Sequence, residues 1–164
     1  MDQTHLHLVI THLPIFGSII GACILGFGLW TKSTQTQMAA YLLFVGSAMG
    51  AGLAYYTGEG AEEAVENIQG VTESIIKEHE EFALYALISL IVLGVVSLLT
   101  LIITYKNSSL AKTAAYTTLL VSLVSFALVA QTGYLGGKIR HTELNGIAPA
   151  GGNVQEQGAD EDDD

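Results

Sequence analysis

FALYALISLIVLGVVSLLTLIITY, residues 82–105, holds no charged side chain, and its reading governs the rest of the chain. It exceeds the ~20 residues that a helix needs to cross about 30 Å of hydrocarbon. It is apolar on every side, whereas a helix on the surface of a soluble protein keeps a polar face. Three more runs share this character, at residues 7–30, 38–57 and 110–134. In lipid every backbone polar group must be satisfied within the segment, so helices are the expected way across. The expected fold is all-α, a four-transmembrane-helix bundle built from two hairpins.

Composition agrees. Of the 164 residues 50% are hydrophobic and 13% charged, with a mean hydropathy of +0.46. Soluble domains carry roughly twice that share of charge, about 25%. Only Asp2 precedes the first run as a charge, so the run lacks the basic start of a signal peptide and reads as a retained helix. Cys23 is the single cysteine, so no intramolecular disulfide forms, and no C-x-x-C-H motif attaches a haem covalently. Cys23 reads as a small packing residue.

Between the second and third runs, Ala61, Ala64, Val65, Ile68, Val71, Ile75 and Ile76 recur at helical period with glutamates opposite. This predicts an amphipathic interfacial helix over about 61–77, lying across the end of the bundle like a lid. The membrane domain then covers 1–141. Residues 142–164 are Gly-rich and acidic and read as a disordered tail.

The loops divide by charge. Lys32 stands in the first short loop, and Lys106 and Lys112 in the third, none with an acid beside it; all 16 acids fall on the other side. The positive-inside rule makes the lysine loops cytoplasmic, although Lys77, Lys138 and Arg140 oppose the count. The expectation is a multi-pass protein of a bacterial inner membrane, with both termini in the periplasm.

All five histidines fall on the acidic side: His5, His7 and His12 at the start of helix 1, His79 at the start of helix 3, and His141 past helix 4. A weak repeat accompanies them. Leu53-x-x-x-Thr57-Gly58 closes helix 2 and Leu128-x-x-x-Thr132-Gly133 closes helix 4. It pairs His12 with His79, and Gly58 with Gly133, about an axis along the membrane normal.

An ionisable residue at membrane depth points to a job or a partner. Low-spin haem b needs two neutral imidazoles projected from two helices. His12 and His79 are the expected axial ligands. Arg140 and Lys138 would meet the propionates, and His7 and His141 would serve a second haem or the propionates. The function this implies is electron transfer near the outer membrane face, alone or in a respiratory assembly. The alternative is a Zn, Cu or Fe site in which His7, His141 and Glu80 join His12 and His79. A third reading is a cofactor-free accessory subunit, with His5 capping a helix and His79 and His141 pairing with Glu80 and Arg140. No nucleophile–base pair, phosphate-binding loop or nucleic-acid patch occurs, so a carrier or binding protein is favoured over a stand-alone enzyme. The expected partners are the lipid bilayer, membrane redox subunits or a soluble cationic electron carrier. Gly17 and Gly21, and Gly46 and Gly50, form two G-x-x-x-G pairs. Packing within the bundle is the preferred use, and a homo-oligomer face the other.

HLVITHLPI, TGEGAEE…HEEFA and GYLGGKIRH together resemble a family of small four-helix bacterial membrane proteins classed as a domain of unknown function. The resemblance spans His7 to His141 and rests on His7, His12, Pro14, Gly133, Gly136, Gly137, Arg140 and His141, with His79 corresponding by position. Leu8 and Leu13 stand where that family has proline and phenylalanine. The resemblance implies the fold and a membrane location, and no activity.

Overall fold

The computed structural model describes residues 3–140 apart from 64 and 66–70. Four helices make up this part: α1 (Gln3–Trp30), α2 (Thr34–Glu63), α3 (Glu73–Tyr105) and α4 (Ala111–Arg140). Each is long and apolar enough to cross a membrane, and the chain reads as a multi-pass membrane protein. Leucines, valines and isoleucines cover the outside, among them Val9, Leu53, Val95 and Leu120. Exposed aromatic residues gather at both ends. Trp30 and Tyr105 mark one end and Tyr55, Tyr56 and Tyr134 the other, as belts at the two membrane–water interfaces do.

The helices form a ring. α1 packs on α2, α2 on α3, α3 on α4, and α4 on α1. α1 and α3 therefore face each other across the diagonal. Neighbours run antiparallel, since Gly28 meets Gln37, Gly21 meets Phe44 and Leu13 meets Gly50. The core between them holds Leu25, Tyr41, Phe44, Leu90 and Leu93, all buried.

Both short connections close in the same way. Ser33 N–H donates to the Gly28 carbonyl and Lys32 N–H to Leu29; Ser108 N–H donates to Ile103 and Asn107 N–H to Thr104. This is the Schellman arrangement, which needs a left-handed residue at its turn. Lys32 (φ 56°) and Asn107 (φ 51°) take that place. Asn tolerates the conformation, but a lysine Cβ crowds the following carbonyl. Lys32→Gly should raise stability by about 1 kcal/mol in a thermal melt of the detergent-solubilised protein.

Several expectations meet the structure differently. α1 begins at Gln3, four residues before the expected run, so Pro14 is interior to the helix and buried. It removes the N–H that would bond the Ile10 carbonyl, a loss that membrane helices tolerate. Cys23 is exposed on the outside rather than packed. Residues 61–63 continue α2 and residues 73–77 open α3. The rest of the expected interfacial helix falls largely on residues 64 and 66–70, and the acidic tail on 142–164, outside the described residues. Of the two glycine pairs, Gly17 and Gly21 pack on Ser47 and Phe44, and Gly50 on Leu13, while Gly46 has open space beside it.

Candidate functional site

The burial pattern of the first two helices recurs in the last two. Adding 72 to the α1 positions 14, 18, 21, 22, 25 and 28 gives the α3 positions 86, 90, 93, 94, 97 and 100, and all are buried. Adding 78 to the α2 positions 40, 44, 47, 51 and 57 gives the α4 positions 118, 122, 125, 129 and 135, also buried. In this register His7 corresponds to His79, and Gly58 to Gly136. The pairing read from the Thr-Gly motifs is thus off by about one turn, and His12 is not the counterpart of His79.

The contacts bear this out atom by atom. His7 Nδ1 lies 2.9 Å from the Ala54 carbonyl and 3.2 Å from Thr57 Oγ1 on α2. His79 Nδ1 lies 3.1 Å from the Thr132 carbonyl on α4. Each ring rests on the glycine one turn beyond its carbonyl. A Cβ on Gly58 would sit 3.6 Å from His7 Cε1, and one on Gly136 would sit 3.2 Å from His79 Cε1. Both rings are half-buried, and they lie near enough for their charges to interact. Glycine at Gly136 suits this approach, since a side chain there would press on the His79 ring.

A carbonyl only accepts, so in the neutral ring the proton belongs on Nδ1 and the lone pair on Nε2. That is the tautomer of a metal-ligating histidine oriented by its outer shell. Neither Nε2 has a hydrogen-bond partner among the described residues. The site is therefore two fixed imidazoles, on diagonal helices near one end of the bundle, each presenting a basic nitrogen.

The other expected site residues lie apart. His12 is exposed: its Nδ1 turns back to the Leu8 carbonyl at 2.6 Å, and its ring stacks on Phe16 with centroids 5.9 Å apart. It borders an apolar groove on the outer face of α1 and α2, with Leu13, Ile20 and Leu43. The structure brings His7, not His12, to His79. The physical reason is the stripe: His7 is seven residues before buried Pro14 and shares its face, whereas His12 falls between the inward positions. His5 and Glu80 are exposed, with Glu80 close enough to act on the charge of His79. Lys138 is half-buried with Nζ 5.1 Å from the centre of the Tyr134 ring. Arg140 is the last residue of α4, at the same end as the histidine pair. His141 lies outside the described residues. Among the described residues no three of His, Cys, Asp and Glu come together as a metal cage.

Fold and site together define a four-helix membrane protein with a paired, backbone-anchored imidazole site. In comparisons with known proteins, no family model, curated protein or solved structure matches the chain. The site therefore stands on its own residues.

Proposed function

We propose that the protein carries a haem b at the bundle end formed by the starts of α1 and α3, where His7 and His79 would hold it through Nε2, and that it passes electrons near that membrane face. The observation behind this reading is the matched pair itself: two imidazoles on diagonal helices, each held through Nδ1. Ligand count favours haem over a bare ion. A protein-held zinc takes three or four protein donors, and the described residues offer no such cage. A haem would ask the protein for no more than the two imidazoles that His7 and His79 could supply.

Bound there, haem would supply one-electron exchange. The chain does the rest. The Ala54 and Thr132 carbonyls orient the two rings, and Gly58 and Gly136 give them room. Lys138 and Arg140 bring positive charge to the same end, which suits propionates. Two imidazoles, with no thiolate and no open position, favour electron transfer over oxygen chemistry. The acids between residues 59 and 81 and in the tail suit a cationic soluble carrier as partner. The recurring burial pattern supports two hairpins related by an axis along the membrane normal.

We place this end outside the cytoplasm, in the periplasm of a bacterial inner-membrane protein. Lys32, Lys106 and Lys112 stand in connections without acids, whereas Lys77 is engaged by Glu73 at 2.6 Å. In a Cys23→Ala background of intact cells, cysteine at Thr72 should react with an impermeant thiol reagent and cysteine at Ser109 should not. The opposite pattern would invert the topology.

Function is tested by purifying the protein from haem-replete cells and extracting its cofactor. Haem b in near-stoichiometric amount is expected. Folded, colourless protein that carries zinc or copper would instead favour the metal reading, and protein with neither would favour the accessory-subunit reading.

A further inference from the structure

A groove of about 400 Å³ runs along the lipid-facing side of α1 and α2, from His12 past Phe16 to Ile20 and Leu43. From His12 to Ile20 it extends about 12 Å, at ~1.5 Å per helical residue. Its lining side chains are hydrocarbon apart from the imidazole at its outer end. An ionisable side chain turned to lipid is costly and points to a function. The matching groove shows what lipid alone accepts. In the register of 72 and 78 residues, Gly17, Ile20 and Leu43 correspond to Ser89, Val92 and Val121, which line a groove of about 290 Å³ on α3 and α4. On α3 the places of His12 and Phe16 are taken by Leu84 and Ile88, both exposed. Two rings thus mark one of two otherwise equivalent grooves.

His12 presents one unused group. Its Nδ1 lies 2.6 Å from the Leu8 carbonyl. A carbonyl only accepts, so in the neutral ring the proton belongs on Nδ1 and Nε2 keeps its lone pair. Nε2 has no hydrogen-bond partner among the described residues. The ring lies nearly parallel to that of Phe16, at 20°, so the two present a flat aromatic face. Depth narrows the choice of ligand. Leu13 packs on Gly50 of α2, and the exposed Tyr55 and Tyr56 stand five and six residues farther out, about 7–9 Å along the helix. Phospholipid headgroups sit at or beyond such an aromatic belt, so their charges do not reach His12.

We propose that this groove binds a hydroquinone with a long hydrocarbon tail, one phenolic O–H donating to His12 Nε2, the ring against His12 and Phe16, and the tail along Ile20 and Leu43. Charge complementarity selects this occupant. The groove offers one negative lone pair and no charged side chain, so it calls for a neutral donor. The paired rings call for a flat aromatic head, and the hydrocarbon wall beyond them for an apolar tail. A hydroquinone supplies all three. Its oxidised form has carbonyls in place of the O–H groups, and a carbonyl facing a lone pair sets acceptor against acceptor. The groove therefore prefers the reduced form. Binding here needs no haem, so it does not depend on His7 and His79.

The test titrates the full chain, as purified and placed in lipid nanodiscs, with a decyl-substituted benzohydroquinone under anaerobic conditions, and separately with the same compound oxidised. Ligand retained above that of protein-free nanodiscs gives the affinity. His12→Leu, which copies Leu84, should bind the hydroquinone about ten-fold more weakly, the effect of one lost hydrogen bond. The wild type should bind the oxidised form about ten-fold more weakly than the reduced form, and Leu84→Ala should bind the hydroquinone like the wild type. Decanol, which has the donor and the tail but no ring, should not displace the hydroquinone at equal concentration. Phe16→Leu repeats the comparison should His12→Leu fold poorly. Equal hydroquinone affinity of wild type and variant, equal affinity for the two redox forms, or displacement by decanol would overturn the proposal.

Discussion

Replacing His7 or His79 with alanine is expected to remove the low-spin absorption of the haem-loaded protein, either through loss of haem or through conversion to a five-coordinate form. Each substitution would delete one of the two imidazoles proposed to hold the haem, and the other described histidines are no near substitute: His12 is turned to its own backbone at Leu8, and His5 is exposed. His12→Ala should leave the spectrum unchanged. Thr57→Val should have a smaller effect than either, a loss of haem affinity of about 10-fold, because it removes an outer-shell partner while the Ala54 carbonyl still holds the ring. A His12→Ala protein without low-spin bands, beside a normal His7→Ala protein, would restore the pairing first read from the sequence.

The second large effect concerns packing. Gly21→Val should destabilise the bundle by about 3 kcal/mol or more, the upper range for overpacking a filled core. A Cβ at this position would stand 2.5 Å from the Phe44 ring. Phe44 is fully buried and has nowhere to move. Gly26→Val is the control, since nothing lies within 4 Å of its added Cβ. Denaturation in mixed detergent micelles should show a much lower midpoint for Gly21→Val and little change for Gly26→Val. Equal midpoints would mean that α1 and α2 do not approach as described.

How much of this could be read beforehand depends on which physical signal carried it. The four spans were legible because lipid imposes long, uncharged runs, and residues 82–105 show that without context. The site was legible only in part. The Thr-Gly motifs drew attention to Gly58 and Gly133, but similarity in letters is not register. Spatial register follows the inward stripe, at Pro14, Ser18, Gly21 and Leu25 in α1 and at Ala86, Leu90, Leu93 and Ser97 in α3. Extending each stripe toward its N-terminus by seven residues gives His7 and His79. The signal was therefore present as a heptad spacing, and His12 lies off it. The anchoring carbonyls of Ala54 and Thr132 could not be read, because a backbone acceptor has no signature in residue type. Nor could the outward face of Cys23, since a small apolar residue suits lipid and core alike. Only the ends of the segment 61–77 can be compared: residues 61–63 belong to the end of α2 and 73–77 to the start of α3, since glutamates opposite apolar residues mark the solvated end of a long helix as well as a separate interfacial one.

The account rests on both Nε2 atoms meeting one iron. The most direct measurement is the low-temperature electron paramagnetic resonance spectrum of the oxidised, haem-loaded wild-type protein. A single low-spin ferric signal of the bis-imidazole type, accounting for all the iron, is predicted. A high-spin ferric signal as the main species, or a folded protein that takes up no haem, would contradict it.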